Sequence, residues 1–333
     1  MKNELTYWFT LGMIRGISNR RKNEIYSACY RHEPPFSIED LFENEEVWKD
    51  LGMTLDEMNL FRKAKTELSS NAFVVENLLS QGYEIIPIDS TLYPKTLKNN
   101  LKMGSPTIIY IKGDSKLLNE PAVAIVGSRK AGNTSLKFTN SIAFKASKEG
   151  EVVVSGFAKG VDREALDGAL LSGGKSIIVL PQGITTFSSG FKQYYQQIQQ
   201  GKVLVMSVFE PQAGWNAGLA MARNPIIYGM AGKIYVAESD SKGGTWSGVI
   251  DGLKKGREIF VRVPEPKEKN ANKLLIEKGA KPVDKNGNIL EYAVQGSLDF
   301  ASEPTENYKK SNGRKDSIQL SIDFDSNPEN LTS

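Results

Sequence analysis

An α/β fold, with a mainly parallel sheet and helices on both faces, is what this sequence predicts, and three observations predict it. Short apolar runs recur at 122–127, 151–155, 176–181, 203–209, 233–238 and 258–263. Helix-length segments separate them, at 134–148, 162–172, 216–230 and 245–255. The runs stop abruptly at Gly and small polar residues, as strands buried on both faces of βαβ units do. Together these features describe a Rossmann-like sheet, and a small helical module precedes it.

Residues 1–75 form that module. Leu5, Phe9, Leu11 and Ile14 recur at helical spacing, and Gly16-Ile17-Ser18 reads as a tight interhelical turn. Pro34-Pro35 breaks the pattern before Ser37, a capping residue for a second helical stretch through Phe42. The module resembles sterile-alpha-motif-like or helix-hairpin-helix pieces, although Ser18 stands where a DNA-binding hairpin has its second glycine. Residues 76–120 are a β-rich lead-in, with Ile85–Asp89 and Pro106–Gly113 as added strands. Residues 121–295 hold the main sheet. Over 296–333, and most clearly after Ser302, apolar content collapses, so this segment reads as a disordered tail.

Composition removes several function classes. The chain has 333 residues, 40% hydrophobic and 24% charged, with a net charge of +3, so any nucleic-acid surface must come from local clustering. Its one cysteine, Cys29, and one histidine, His32, cannot make a disulfide framework or a Cys/His zinc site. Both fall in the helical module, far from the glycine-rich loops, so histidine-driven catalysis is not expected. No apolar run approaches a membrane span, and Met1-Lys2-Asn3-Glu4 opens no signal-peptide core, so the protein is read as cytoplasmic.

The strand ends carry the chemistry. Four glycine-rich segments follow strands: Gly127-Ser128-Arg129, Ser155 to Gly160, Pro181-Gln182-Gly183, and Ser241 to Thr245. Ligands of open parallel sheets bind beyond the carboxyl ends of the strands, and helix N-termini there favour negative charge. Arg129, Lys159 and Lys175 would make this edge an anion groove. The candidate DNA- or phosphate-binding residues are Gly127, Ser128, Arg129, Lys130, Ser155, Gly156, Phe157, Lys159, Gly160, Lys175, Arg223, Asn224, Gly243, Gly244 and Thr245. Arg223 has a structural alternative as an anchor for Glu238 or another carboxylate, and Asp162 reads as a helix N-cap. Phe157 is the base-stacking candidate, ahead of Trp246, which can equally pack against the sheet. After Gly127 the next glycine is Gly132, so the G-x-G-x-x-G fingerprint is absent, and so is the Walker lysine. No cofactor or metal is implied.

At these residues the chain resembles the DNA-processing protein A family (DprA, also called Smf). The resemblance rests on Ile125–Ala131, Ser155–Asp162 and Gly168–Lys175. It extends upstream to Asp89–Leu97 and Pro106–Gly113, and downstream to Ala222–Ala231 and Leu274–Ala280. The resemblance implies single-stranded DNA binding, loading of a RecA-type recombinase during recombination and natural transformation, and a homodimer. By position it implies that Gly127, Ser128, Arg129, Lys159, Lys175, Arg223 and Asn224 clasp the backbone. The chain also departs from the family pattern. Leu166 replaces the usual histidine after Ala165, Pro225 replaces the second arginine of Arg-Asn-Arg, and the tail has no room for a winged-helix module. Gly243-Gly244-Thr245 also resembles a motif of nucleotide phosphoribohydrolases, but the glutamate those enzymes use is missing before Glu258. A nucleotide-binding sensor or such a hydrolase is the alternative reading. The island Gln319–Phe324 resembles peptides that dock on the bacterial sliding clamp.

Overall fold

The computed structural model describes residues 2–291. Its strands are β1 (Glu84–Pro87), β2 (Ile108–Lys112), β3 (Ala122–Val126), β4 (Val152–Ser155), β5 (Ser176–Val179), β6 (Val203–Ser207), β7 (Lys233–Val236), β8 (Glu258–Arg262) and β9 (Lys281–Val283). They form one nine-stranded sheet in the order β1-β2-β6-β5-β4-β3-β7-β8-β9. From β6 through β9 every neighbouring pair is parallel, and the lead-in strands β1 and β2 add antiparallel at the β6 edge. The sequence places the first eight strands correctly; β9 is too short and polar to stand out.

Alternate residues of the central strands bury on opposite faces. Val123 and Ile125 of β3 pack with Phe138, Ile142 and Ala165, whereas Ala124 and Val126 join Ile226, Ile227 and Val249 on the other side. Each face is covered by helices, so both sets must be apolar, which is why the strands read as continuous runs. Counting the helices along the chain, the module contributes α1 (Lys2–Met13), α2 (Asn19–Arg31), α3 (Ile38–Glu43), α4 (Glu46–Asp50), α5 (Leu55–Thr66) and α6 (Leu68–Ser80). After them come α7 (Lys95–Leu101), α8 (Asn133–Lys148), α9 (Val161–Leu171), α10 (Ser188–Gln193) and α11 (Tyr195–Gln199). The last four are α12 (Ala217–Ala222), α13 (Asn224–Met230), α14 (Gly244–Lys254) and α15 (Asn272–Glu277).

One local reading changes. The helix expected over 216–230 is two helices broken at Arg223, because Pro225 near the start of α13 has no N–H to continue the ladder. Ser18 closes the interhelical turn, as the sequence predicts. Its hydroxyl accepts from Arg21 N at 3.3 Å and caps α2, while Gly16 supplies the turn at φ +90°. Ser37 caps α3 in a reciprocal box with Asp40. The module shares its core with the sheet edge: Phe9 meets Tyr110 edge-on at 6.1 Å, and a Cβ on Gly12 would lie 2.6 Å from Ile108 Cδ1. Residues Met1–Glu291 form one compact unit. The tail beyond Ser302 and the Gln319–Phe324 island lie outside the described residues.

Candidate nucleic-acid interface

The strand order reverses at β3, which has β4 on one side and β7 on the other. Such a switch point opens a crevice beyond the carboxyl ends of the strands. Three loops are clamped together there, those that follow β3, β4 and β7. Ser128 N donates to Glu238 O at 2.9 Å, and Val161 N donates to Ser128 O at 3.3 Å. A Cβ on Gly127 would sit 2.6 Å from Val161 Cγ2; one on Gly160, where φ is +78°, would sit 2.4 Å from Ser128 O. Only glycine allows this approach.

Two adjoining clefts open over the loops, of about 470 Å³ and about 380 Å³. The larger is lined by Gly127, Ser128, Asn224, Lys242, Gly243, Gly244 and Thr245. The smaller is lined by Gly156, Phe157, Lys159, Pro181, Gln182 and Phe187. Arg129, Lys130, Ala158, Trp215 and Arg223 border both. Arg129, Lys130, Lys159 and Lys242 are exposed, and none of their side chains makes a hydrogen bond or ion pair among the described residues. Four unpaired cations around one crevice create a field suited to a phosphate chain. At α9 the N–H groups of Val161 and Arg163 are already taken by Ser128 O and Ala158 O, whereas the N-terminus of α14 opens at the crevice with Gly243 as its cap and no side-chain partner, leaving N–H groups for an anion. That of α8 is closed, because Glu238 accepts from Gly132 N at 3.0 Å and from Ser135 Oγ at 2.7 Å.

Beneath the clefts Arg223 is only 4% exposed. Its Nη1 donates to Val179 O at 2.9 Å, and its Nη2 lies 3.8 Å from Asp162 Oδ2. Burial lowers the Arg223 pKa and raises that of Asp162, each opposed by the other's charge. Arg223 therefore anchors a carboxylate, but that of Asp162 rather than Glu238. Asp162 is not the N-cap; its carboxylate accepts from Ala158 N at 3.3 Å and holds the 156–158 loop from inside. Gly156 admits the guanidinium, since a Cβ there would fall 1.6 Å from Arg223 Nη1.

Three expected groove residues are placed differently. Lys175 precedes β5, so it lies at the amino end of the strands, paired to Glu120 at 2.7 Å. It is therefore no part of this crevice. Ser155 is buried and donates to Asp162 O at 3.1 Å, so it supports the loop. Phe157, in the left-handed region at φ +66°, has Arg163 stacked on its ring at 3.9 Å and Phe187 against it edge-on at 4.7 Å. Its ring lines the smaller cleft, but its stacking capacity is already largely occupied. Trp246 is half-buried and packs on the core. The Pro181-Gln182-Gly183 loop is not an anion loop at its glycine: Gly183 N donates to Ala213 O at 2.8 Å, and a Cβ there would meet Glu210 O at 2.2 Å.

Sequence reasoning missed Trp215, 55% exposed on the wall between the clefts, and Lys242 at the rim of the larger. Neither belongs to a periodic pattern, and a lone aromatic in a polar loop gives no signal of its exposure. His32, bonded through Nδ1 to Pro34 O at 3.0 Å, lines neither cleft. Burial pushes the Cys29 thiol up to about 12. Among the described residues, no group of three or more His, Cys, Asp or Glu is placed to hold a metal, and no helix is long and apolar enough to cross a membrane.

Comparison with known proteins matches this region. The family model described as DNA recombination-mediator protein A matches residues 84–294. The DNA processing protein DprA of Streptococcus pneumoniae is 31% identical over 185 residues, 55% of this chain and 64% of that relative, so the match spans less than two thirds of its length. The DNA processing protein A of Helicobacter pylori, solved for its mode of single-stranded DNA binding, is 29% identical with a TM-score of 0.52, covering 60% of this chain and 90% of that one. The Streptococcus pneumoniae DprA structure shares the fold, with a TM-score of 0.58, 24% identity, and 80% of this chain and 95% of that one covered.

Proposed function

The chain belongs to the DNA recombination-mediator protein A family, and from that premise we propose that it binds single-stranded DNA in the twin cleft at the β3 switch point. The observation that carries this reading is the ring of unpaired cations, Arg129, Lys130, Lys159 and Lys242, around clefts floored by glycine loops. The Helicobacter pylori relative's mode of single-stranded DNA binding supports it. Arg129 can fork two N–H bonds onto a phosphate, while the lysines act as mobile point charges. Backbone contact of this kind tolerates any sequence.

The biological role is that of a cytoplasmic recombination mediator: it holds the strand, works as a homodimer and passes the strand to a RecA-type recombinase, with natural transformation as one setting. The Gln319–Phe324 peptide is a candidate link to the sliding clamp. Of the two acids that line the larger cleft, Asp162 is committed to Arg223, and Asp240 stands exposed at the rim. Asp251, the acid nearest to the hydrolase position, pairs with Lys255 at 2.7 Å. A gel-shift titration with oligo-dT and its duplex tests the reading. Preference for the single strand, lost in Arg129→Ala/Lys159→Ala, is expected. Equal affinity of the double variant would reject the site, and steady release of free base from nucleoside monophosphates would favour the hydrolase.

A further inference from the structure

Trp215 projects from the 208–216 loop between β6 and α12, and that loop is fastened on both sides of it. Before it, Ala213 O accepts from Gly183 N at 2.8 Å, and Pro211 O accepts from Thr185 Oγ1 at 2.6 Å. After it, Asn216 Oδ1 accepts from Leu219 N at 2.8 Å and caps α12. The indole itself has no hydrogen-bond, aromatic or cation–π partner among the described residues, and it is 55% exposed. The other three tryptophans are unlike it: Trp8 and Trp48 are buried, and Trp246 packs on the core. A large apolar ring held in water by an anchored backbone is informative where an isolated exposed leucine is not.

Its position gives it work. The two clefts, about 470 and about 380 Å³, share the wall made by Trp215 together with Arg129 and Lys130. Each is large enough for one nucleotide-sized ligand. A strand crossing that wall must bring a phosphate past the free guanidinium of Arg129 while its flanking bases fall on either side of the indole.

We propose that Trp215 divides the groove into two nucleotide subsites, stacking between consecutive bases of one DNA strand while Arg129 takes the phosphate that joins them. The proposal rests on the single-stranded DNA reading above and adds to it a minimal ligand, the dinucleotide step. It also supplies a reason for refusing duplex: an indole between neighbouring bases requires a step that is unstacked and unpaired. Phe157, with Arg163 already on its ring, lines one subsite but does not take this part.

The test uses the full chain with thymidine monophosphate, the dinucleotide dTpdT and longer oligo-dT. The dinucleotide should bind at least about tenfold more tightly than the mononucleotide, because it fills both subsites and supplies the bridging phosphate. Trp215→Ala should weaken oligo-dT binding about 30-fold or more, the loss of stacking on two bases, with the salt dependence unchanged. Trp215→Phe should keep most of the affinity but lose the quenching of exposed-indole fluorescence that DNA causes in the parent. The ring is exposed, so the melting temperature should match the parent in both variants. Equal affinity for mononucleotide and dinucleotide, or undiminished binding by Trp215→Ala, would overturn the proposal while leaving the DNA-binding reading intact. Failure of the unaltered protein to bind oligo-dT would overturn both.

Discussion

Arg223 and Asp162 face one another beneath the twin cleft, Nη2 to Oδ2 3.8 Å apart, and both are almost fully withdrawn from water. The separation is long for an ion pair, so each partner leans on a second contact: Arg223 on Val179 O and Asp162 on Ala158 N. The pair ties the floor of the groove to the loop that forms its wall.

Removing one partner of this pair should cost more than removing both. A buried charge left alone typically costs ~3–5 kcal/mol, whereas an apolar replacement of the whole pair is often near neutral. Asp162→Ala and Arg223→Met should each lower the urea midpoint substantially, and Asp162→Ala/Arg223→Met should fall short of their sum. A double-mutant cycle measures the coupling; strict additivity would mean the two residues act independently.

Gly160 and Gly173 share a φ of +78° but not their surroundings. Nothing lies within 4 Å of a Cβ on Gly173, while one on Gly160 would meet Ser128 O at 2.4 Å. Gly173→Ala should therefore cost only the backbone preference, of order 1 kcal/mol. Gly160→Ala adds a clash between two main chains that neither can relieve, so it should be clearly more destabilising and should also weaken oligo-dT binding. Equal melting temperatures for the two variants would contradict the loop packing.

Charge at the two ends of the sheet should behave differently towards DNA. Arg129→Ala should reduce the slope of log affinity against log salt by about 0.7, one phosphate contact on a single strand, without moving the melting temperature. Lys175→Ala, at the opposite end and paired with Glu120, should leave the affinity and slope unchanged. A loss in Lys175→Ala equal to that in Arg129→Ala would place a DNA contact on the amino edge.

The contrast between Arg129 and Lys175 also marks how far the sequence can be read. Strands buried on both faces announce themselves as apolar runs, and a glycine loop right after such a run must lie at its carboxyl end, so Arg129 was legible. Lys175 sits among glycines too, but just before a run, and that places it at the other end. The split of the 216–230 helix was foreshadowed by Pro225. What could not be read was side-chain commitment: that Arg163 would cover Phe157, that Asp162 would turn inward to Arg223, and that Trp215 would stay bare. These depend on contacts between segments far apart in the chain, for which a single sequence carries no periodic signal.

Acid should loosen the far side of the groove through Arg262. Its side chain, 2% exposed, ends β8 and donates to Ala237 O at 3.0 Å, to Ser135 Oγ at 2.9 Å and to both oxygens of Glu268 at 2.8 and 2.9 Å. Burial alone would raise the Glu268 pKa, but the bonds from Arg262 and from Glu265 N outweigh it and hold the carboxyl below its ordinary value of 4.5. A carboxyl depressed in the folded state contributes stability that is complete above that ordinary value and is lost as pH falls through the folded one. Protonation then leaves the Arg262 guanidinium buried without its counter-charge. It also disturbs Ser135, whose hydroxyl is shared with Glu238 at the start of α8. The urea midpoint should therefore fall on acidification below about pH 4.5, and Glu268→Gln should lower it at neutral pH while flattening that acid limb. A Glu268→Gln protein with the parent's stability at neutral pH and the parent's acid limb would show that the Arg262 pair contributes nothing to the fold.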